Sequence, residues 1–465
     1  MATDAAALGT SRRDTAFFGH PVGLGWLAFS ELWERFSYYG MLALLPLYLV
    51  HSLLLPGHVE HIVGFGALKA FVALFYGSAD SAMALKAHIT GLYAAFVYLT
   101  PLAGGFLADR YLGRTTAVTI GALLMALGHF LMAFEASFVG AIVCLMTGVG
   151  FFKGNISSQV GSLYKTDDPR RANAFQIFLL AVQIAVIGSP LVCSTLGELY
   201  GWDLGFGAAG VGMLIGLGVY LTGRRHMPPE VPRMHGVEQN PPLTRQDGLK
   251  IAVLVLLLPA LAIGVVGNQQ ISNAYPNWAE ANLNLVFFGE KMPTGWLQSV
   301  DAIVSTITML LVIAFWRWWE KRWTEPDELA KITLGIAISA MAPLALAMAS
   351  AVVAQTHGKT GVFWVFVFEI FNDIGFANVL PVGLALYTRA APKSVLGLVV
   401  GIYYLHLFAG NYFTGWVAGL YGEMPDVSFW LLHVGFMAVA AVVLLLARFA
   451  FGRTLAPAYK ELAPA

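Results

Sequence analysis

The stretch ELWERFSYYG, residues 31–40, lies in the middle of an otherwise apolar run, 24–50. A run of that length is what a bilayer-crossing helix requires, roughly 20 mainly apolar residues. Glu31, Glu34 and Arg35 are therefore charges inside a predicted membrane span. Each costs about 2.5–3.5 kcal/mol on insertion scales, so such residues face an interior and pair. At 3.6 residues per turn Glu31, Glu34 and Tyr38 share a face, and Glu31 to Arg35 is an i,i+4 pair with the acid on the favourable N-terminal side. A purely structural ion pair is the plainer alternative; three charges beside Tyr38 and Tyr39 exceed what stapling two helices requires.

Outward from this stretch the whole chain has the same character. Of 465 residues, 58% are hydrophobic and only 12% charged, with a mean hydropathy of +0.69, a composition that places the chain in the membrane class. Twelve span-length apolar stretches begin near Leu24, Met83, Thr115, Phe138, Ala172, Leu204, Gly248, Pro293, Glu328, Gly361, Val395 and Phe429. The first run is too long for a signal peptide and no small-residue cleavage pattern follows it, so it reads as a retained span. Cys144 and Cys193 both sit in apolar runs and read as packing residues, with no disulfide framework or metal spacing.

The loops sort by charge. Of the 27 Lys and Arg residues, those placed outside are four, Lys69, Lys86, Lys291 and Lys359. Only Arg35 and Lys153 fall within spans, and the remainder, Arg12, Arg13, Arg110, Arg114, Lys165 and Arg224 among them, fall inside. That asymmetry predicts both termini in the cytoplasm. The polar stretch 223–247, rich in Pro and Arg, divides an N-terminal six-helix bundle (1–222) from a C-terminal one (248–465) and reads as a cytoplasmic linker. Residues 58–82 hold an apolar run too short to cross, which predicts an outer interfacial helix. The fold class is an all-α membrane protein with twelve transmembrane helices in two six-helix halves. That layout resembles the major facilitator superfamily, in which substrate binds between the halves near the midplane.

Lys153 lies in GVGFFKGNISS, 148–158, where glycines predict a close helix approach. A lysine snorkelling to an interface is the alternative, but about fifteen apolar residues precede it. With these residues in view the chain resembles the proton-dependent oligopeptide transporter family. ELWERFSYYG matches that family's ExxERFxYYG signature at every defined position, and the resemblance continues through YLTPLAGGFLADRYLGR (98–114), GFFKGNIS, YGWDLGFGAAGVGM (200–213), PTGWLQSVDA (293–302) and PVGLAL (381–386). The GGxxADRxxGR element alone is similar to the cytoplasmic-loop motif of the whole superfamily and marks Asp109, Arg110 and Arg114 as a cytoplasmic gate.

The resemblance implies a proton-coupled symporter importing di- and tripeptides by alternating access in a bacterial inner membrane. It implies a monomer with no cofactor beyond protons as coupling ion. Arg35 and Lys153 would take the peptide carboxylate, releasing Glu31 or Glu34 to bind a proton; binding and protonation are then reciprocally coupled. Tyr38, Tyr39, Tyr98 and Gln298 would line the site, and Tyr403 would stand at the side-chain pocket. Each of these is equally readable as a core residue.

Departures from the family concentrate after the linker. Gln183 stands where span 5 has an asparagine, and Asn268 where span 7 has a glutamate. Phe376, in GFANVLPVGL, stands where an acid receives the substrate's amino terminus. Asp301 or Asp373 would replace that acid, Asp301 being favoured over an end-of-helix role; Glu369 is ranked lower, two turns from Phe376. A small anion such as nitrate or a carboxylate is the alternative cargo, and a non-transporting peptide sensor a further one. No HExxH, GxSxG or paired-aspartate protease element suggests an enzyme. The basic residues form no nucleic-acid stripe.

Overall fold

The computed structural model describes residues 15–79, 81–164, 168, 170–227, 243–287 and 289–455. Arg12, Arg13, Lys165 and residues 228–242 of the expected linker lie outside the described residues. Among the described residues, twelve helices are long and apolar enough to cross a membrane. They are α1 (Val22–Leu53), α2 (Ala82–Leu112), α3 (Arg114–Leu131), α4 (Glu135–Ser162), α5 (Asn173–Leu199), α6 (Trp202–His226), α7 (Arg245–Gly264), α8 (Trp296–Glu320), α9 (Glu328–Thr356), α10 (Phe363–Ala390), α11 (Leu396–Ala418) and α12 (Asp426–Gly452). Every predicted span corresponds to one of them, with its start displaced by no more than a few residues. The segment expected between the first two spans forms a helix at Phe65–Tyr76, too short to cross a bilayer.

Two of the long apolar runs are interrupted just before a proline. Beyond α7 the chain continues as Val266–Gln269, a 3-10 turn at Gln270–Ser272, and a helix at Ala274–Asn282. Pro276 has no N–H for the carbonyl of Ser272, so the helix restarts there. Likewise α9 breaks between Ser339 and Met341, because Pro343 cannot bond back to Ser339.

The described chain forms two compact units. Unit 1 comprises 15–48, 55–68 and 99–227; unit 2 comprises 49–54, 69–98 and 243–455. Two pieces of residues 1–222 group with unit 2, namely the end of α1 and the beginning of α2 with most of the preceding short helix.

In unit 1, α1 packs against α5 and α6, and α3 against α4 and α6. Gly40, which closes the ELWERFSYYG stretch, shows why a side chain is excluded there. A β-carbon at Gly40 would fall 2.5 Å from Cys193 Sγ on α5, so only hydrogen lets the two helices meet. Cys193 is fully buried at this contact, the packing role its apolar setting predicts. In the hydropathic core of α1, 72% of residues are buried, against 17% for α8; the charges of α1 are thereby held away from lipid.

In unit 2, α10 packs on α8 and α9, and α12 on α7 and α9. Lys86 requires a correction to its expected place in an outside loop. It lies on α2, only 1% exposed, with Nζ donating to the carbonyl of Asn273 at 2.9 Å. Asn273 reciprocates through Nδ2 to the carbonyl of Ala87 at 3.0 Å. The break in the chain after α7 supplies this acceptor, since a residue in a continuous helix has its carbonyl already engaged. Arg35 and Lys153 are therefore not the only basic residues within the spans.

Candidate functional site

Among the described residues, two clusters of ionisable side chains lie inside the spans, one in each unit. The first is built on α1. Arg35 Nε lies 3.1 Å from Glu31 Oε1, the i,i+4 contact the sequence predicts. Its Nε also contacts Glu34 Oε2, while a terminal nitrogen donates to Glu34 Oε1 at 2.7 Å, making a two-point grip on one carboxylate. All three residues are buried, Glu34 completely. Glu31 Oε2 has no hydrogen-bond partner.

The Arg35 guanidinium stands over the Tyr38 ring at 5.2 Å, and Tyr38 meets Tyr39 edge-on at 5.0 Å. Lys153, half-buried on α4, interacts electrostatically with Glu31 and Glu34. It reaches this position because glycines let α4 approach its neighbours. A β-carbon at Gly148 would fall 2.8 Å from the Gly121 carbonyl oxygen of α3. Two acids and two bases thus share one buried site, with formal charges in balance. Gln183 is half-buried on α5.

Asp109 and Arg110 are exposed at the end of α2. Arg114 bonds to Asp109 at 3.4 Å across the turn that Gly113 makes with φ 74°, a backbone conformation suited to glycine. The Arg110 guanidinium lies 5.9 Å from the Phe106 ring and 5.8 Å from that of Tyr111.

The second cluster is in unit 2. Asp301 on α8 and Glu369 and Asp373 on α10 bring carboxylate oxygens within 4.8 Å of one another. The sequence presents Asp301 and Asp373 as rival replacements for one missing acid and ranks Glu369 below both; the packing of α8 on α10 brings all three together. Distance along α10 from Phe376 does not register this convergence, because Asp301 comes from another helix. Glu369 is fully buried with neither oxygen hydrogen-bonded, and one oxygen of Asp373 is likewise unpartnered.

Tyr275, a residue the sequence reading did not single out, lies beside Glu369 and Asp301. It is fully buried and its hydroxyl has no hydrogen-bond partner. Among the described residues no ion pair joins these three acids to Lys, Arg or His. Two like charges 4.8 Å apart repel by roughly 3.5 kcal/mol at an effective dielectric of about 20, so the cluster calls for bound positive charge.

Of the other predicted positions in unit 2, Gln298 lies one turn before Asp301 on α8. Phe376 is half-buried one turn beyond Asp373, and Tyr98 is half-buried on α2. Gln298 is buried and donates to Ser272 Oγ at 3.4 Å; Asn268 accepts from Gln269 at 3.2 Å. Tyr403 is fully buried, its hydroxyl donating to the Leu380 carbonyl at 2.6 Å, which ties α11 to α10.

A model of the POT family matches residues 115–240 and 245–451. The chain is 27% identical to the peptide transporter YePEPT of Yersinia enterocolitica, over 92% of this chain and 94% of that protein. It is 26% identical to a di-/tripeptide transporter of Lactococcus lactis subsp. cremoris, over 94% and 96% respectively. The crystal structure of a point mutant of a peptide transporter, POT, in complex with alafosfalin is similar with a TM-score of 0.81 at 25% identity. That likeness covers 96% of this chain and 98% of the other.

Proposed function

This chain belongs to the POT family and has the twelve-helix fold of the major facilitator superfamily, and on that premise we propose that it is a proton-coupled symporter of di- and tripeptides. It works by alternating access, as a monomer, in a bacterial inner membrane with both termini in the cytoplasm. Protons are its coupling ion, and its work is transport without a catalytic step.

The observation that carries this reading is the state of Arg35, gripped at two points by Glu34 and contacted by Glu31 in a buried site that also feels Lys153. A peptide carboxylate offers Arg35 and Lys153 the same two-oxygen partner that Glu34 provides internally. When substrate takes the cations, a glutamate loses its counter-charge in a low-dielectric site and gains affinity for a proton. Protonating that glutamate frees the cation in turn, so substrate and proton favour each other's binding. For the peptide ammonium we assign Asp301 and Asp373, joined by Glu369. Tyr38, Tyr39, Tyr98, Gln183, Gln298, Phe376 and Tyr403 are assigned to lining roles, and Asp109, Arg110 and Arg114 to the cytoplasmic gate.

The three-acid cluster argues against a simple anion as cargo, since surplus negative charge repels a substrate without a cationic end. The test is uptake of labelled dialanine into proteoliposomes under an imposed pH gradient. Wild type is expected to accumulate it above equilibrium, and Glu31→Gln and Lys153→Ala each to abolish accumulation. Unaltered accumulation in both variants overturns the coupling scheme. Labelled nitrate uptake that dialanine does not compete away would establish the anion reading instead.

A further inference from the structure

The acids of unit 2 outnumber the charge that one peptide amino terminus brings. Asp301, Glu369 and Asp373 converge within 4.8 Å, with no basic side chain paired to them among the described residues of their unit. With all three ionised, a single ammonium leaves two negative charges unmet, and the cluster of unit 1, with two acids and two bases, has no charge to spare.

A second observation points to a ligand with more donors. The Tyr275 hydroxyl, fully buried beside Glu369 and Asp301, has no partner. The Glu369 carboxylate has none on either oxygen, and the side-chain amide of Asn372, the residue before Asp373 on α10, is also buried and unpartnered. Buried polar groups left this way are costly unless something fills them. Asp301 is the member of the cluster that is partly exposed, so the site is not sealed.

Three other polar residues on and beside α10 are committed elsewhere. Tyr387 donates to the Leu254 carbonyl, Tyr403 to Leu380, and Arg389 pairs with Glu328.

We propose that Asp301, Glu369 and Asp373, with Tyr275, form a receptor for two positive charges, selecting peptides whose first residue is basic. The reading rests on the assignment of this cluster to the peptide's amino end. In such a peptide the α-ammonium and the side-chain ammonium or guanidinium belong to one residue. An ammonium carries three N–H donors and no acceptor, which suits a site made of carboxylate oxygens. Acceptors around one ammonium nitrogen at about 2.9 Å lie roughly 4.7 Å apart, a spacing this cluster accommodates without rearrangement. The second cation meets the carboxylate charge the first leaves over.

The experiment is competition against labelled dialanine uptake in proteoliposomes of the full-length protein, using Ala-Ala, Lys-Ala, Ala-Lys and Glu-Ala. One additional charge-assisted contact predicts that Lys-Ala competes about tenfold better than Ala-Ala. Ala-Lys should fall near Ala-Ala, and Glu-Ala below it. Asp301→Asn, Glu369→Gln and Asp373→Asn, each verified as monodisperse in detergent, should compress the Lys-Ala advantage. The wild-type ranking decides the question even if a variant fails to fold.

Equal competition by Lys-Ala and Ala-Ala, with dialanine taken up normally, overturns the proposal and leaves the peptide reading standing; protons then carry the surplus charge. Calcium or manganese that displaces Lys-Ala at micromolar concentration also overturns it, in favour of a metal site. Failure of wild type to take up any dipeptide removes the functional reading and this one with it.

Discussion

The two ionisable clusters solve the same physical problem in opposite ways. In unit 1 each buried charge has a counter-charge: Glu31 and Glu34 hold Arg35, and Lys153 completes the set. In unit 2 two buried acids and the partly exposed Asp301 gather with none among the described residues. A balanced cluster is stable when empty and must be opened by a competing ion. An unbalanced one is unsatisfied until a cation or proton arrives. On the proposed function the first exchanges ions and the second captures them, and the contrast can be broken at several points.

The largest effect is expected from Arg35→Ala, which leaves Glu31 and Glu34 buried without their cation. Thermal denaturation of the detergent-purified protein should register a loss of about 3–5 kcal/mol, and Arg35→Lys should not restore it fully, since an ammonium cannot reproduce the two-point grip on Glu34. Stability unchanged in Arg35→Ala would mean the balance in unit 1 is nominal.

Next comes Lys86→Ala, which strips the Asn273 carbonyl of its donor and should cost about 1–3 kcal/mol by the same assay. Lys86 is a third arrangement of buried charge, held by the backbone carbonyl and the side-chain oxygen of Asn273, and a null result would show that water or a rearranged chain replaces it.

Glu369→Gln should reverse the sign. Removing one of three like charges is expected to leave stability unchanged or raise it by up to about 2 kcal/mol. A loss as large as that of Arg35→Ala would show a cation already resident among the acids, and would erase the contrast.

The smallest effect belongs to Glu280, whose carboxylate bonds to His51 and Lys291 at 2.6 and 3.2 Å. The hydrogen bond from His51 leads the causes that hold its carboxyl down at about 2, against an ordinary 4.5. A lowered value in the folded state contributes stability that is present above the ordinary range and is lost as pH falls from about 4.5 through about 2. Because the group is partly exposed, screening limits the contribution to about 0–1 kcal/mol. Glu280→Gln should flatten that acid limb in a pH series of melting curves, and a limb of undiminished slope would assign it to other carboxylates.

Legibility in the sequence follows the range of the interaction. The spans were readable because each is a continuous apolar run, and the Glu31–Arg35 contact because an i,i+4 pair is fixed once the helix is. Lys86 was misplaced because the polar residues Ser78, Asp80 and Ser81 just before it blur where α2 starts, and nothing local announces that Asn273 will supply its acceptor. Tyr275 gave no signal, being one aromatic residue among many in an apolar chain.

The sequence by itself determined that the chain crosses a membrane twelve times, belongs with peptide-transporter relatives, and carries a charged cluster on its first span. Hydropathy and helical periodicity act over a few turns, and a motif within one helix needs no tertiary knowledge. Only the tertiary structure decided that Asp301 joins Glu369 and Asp373, that Tyr275 stands beside them, and that Lys86 is buried. Each of those facts depends on which face one helix turns to another, and that rotation is set by side-chain packing summed over the whole unit, which no single span encodes.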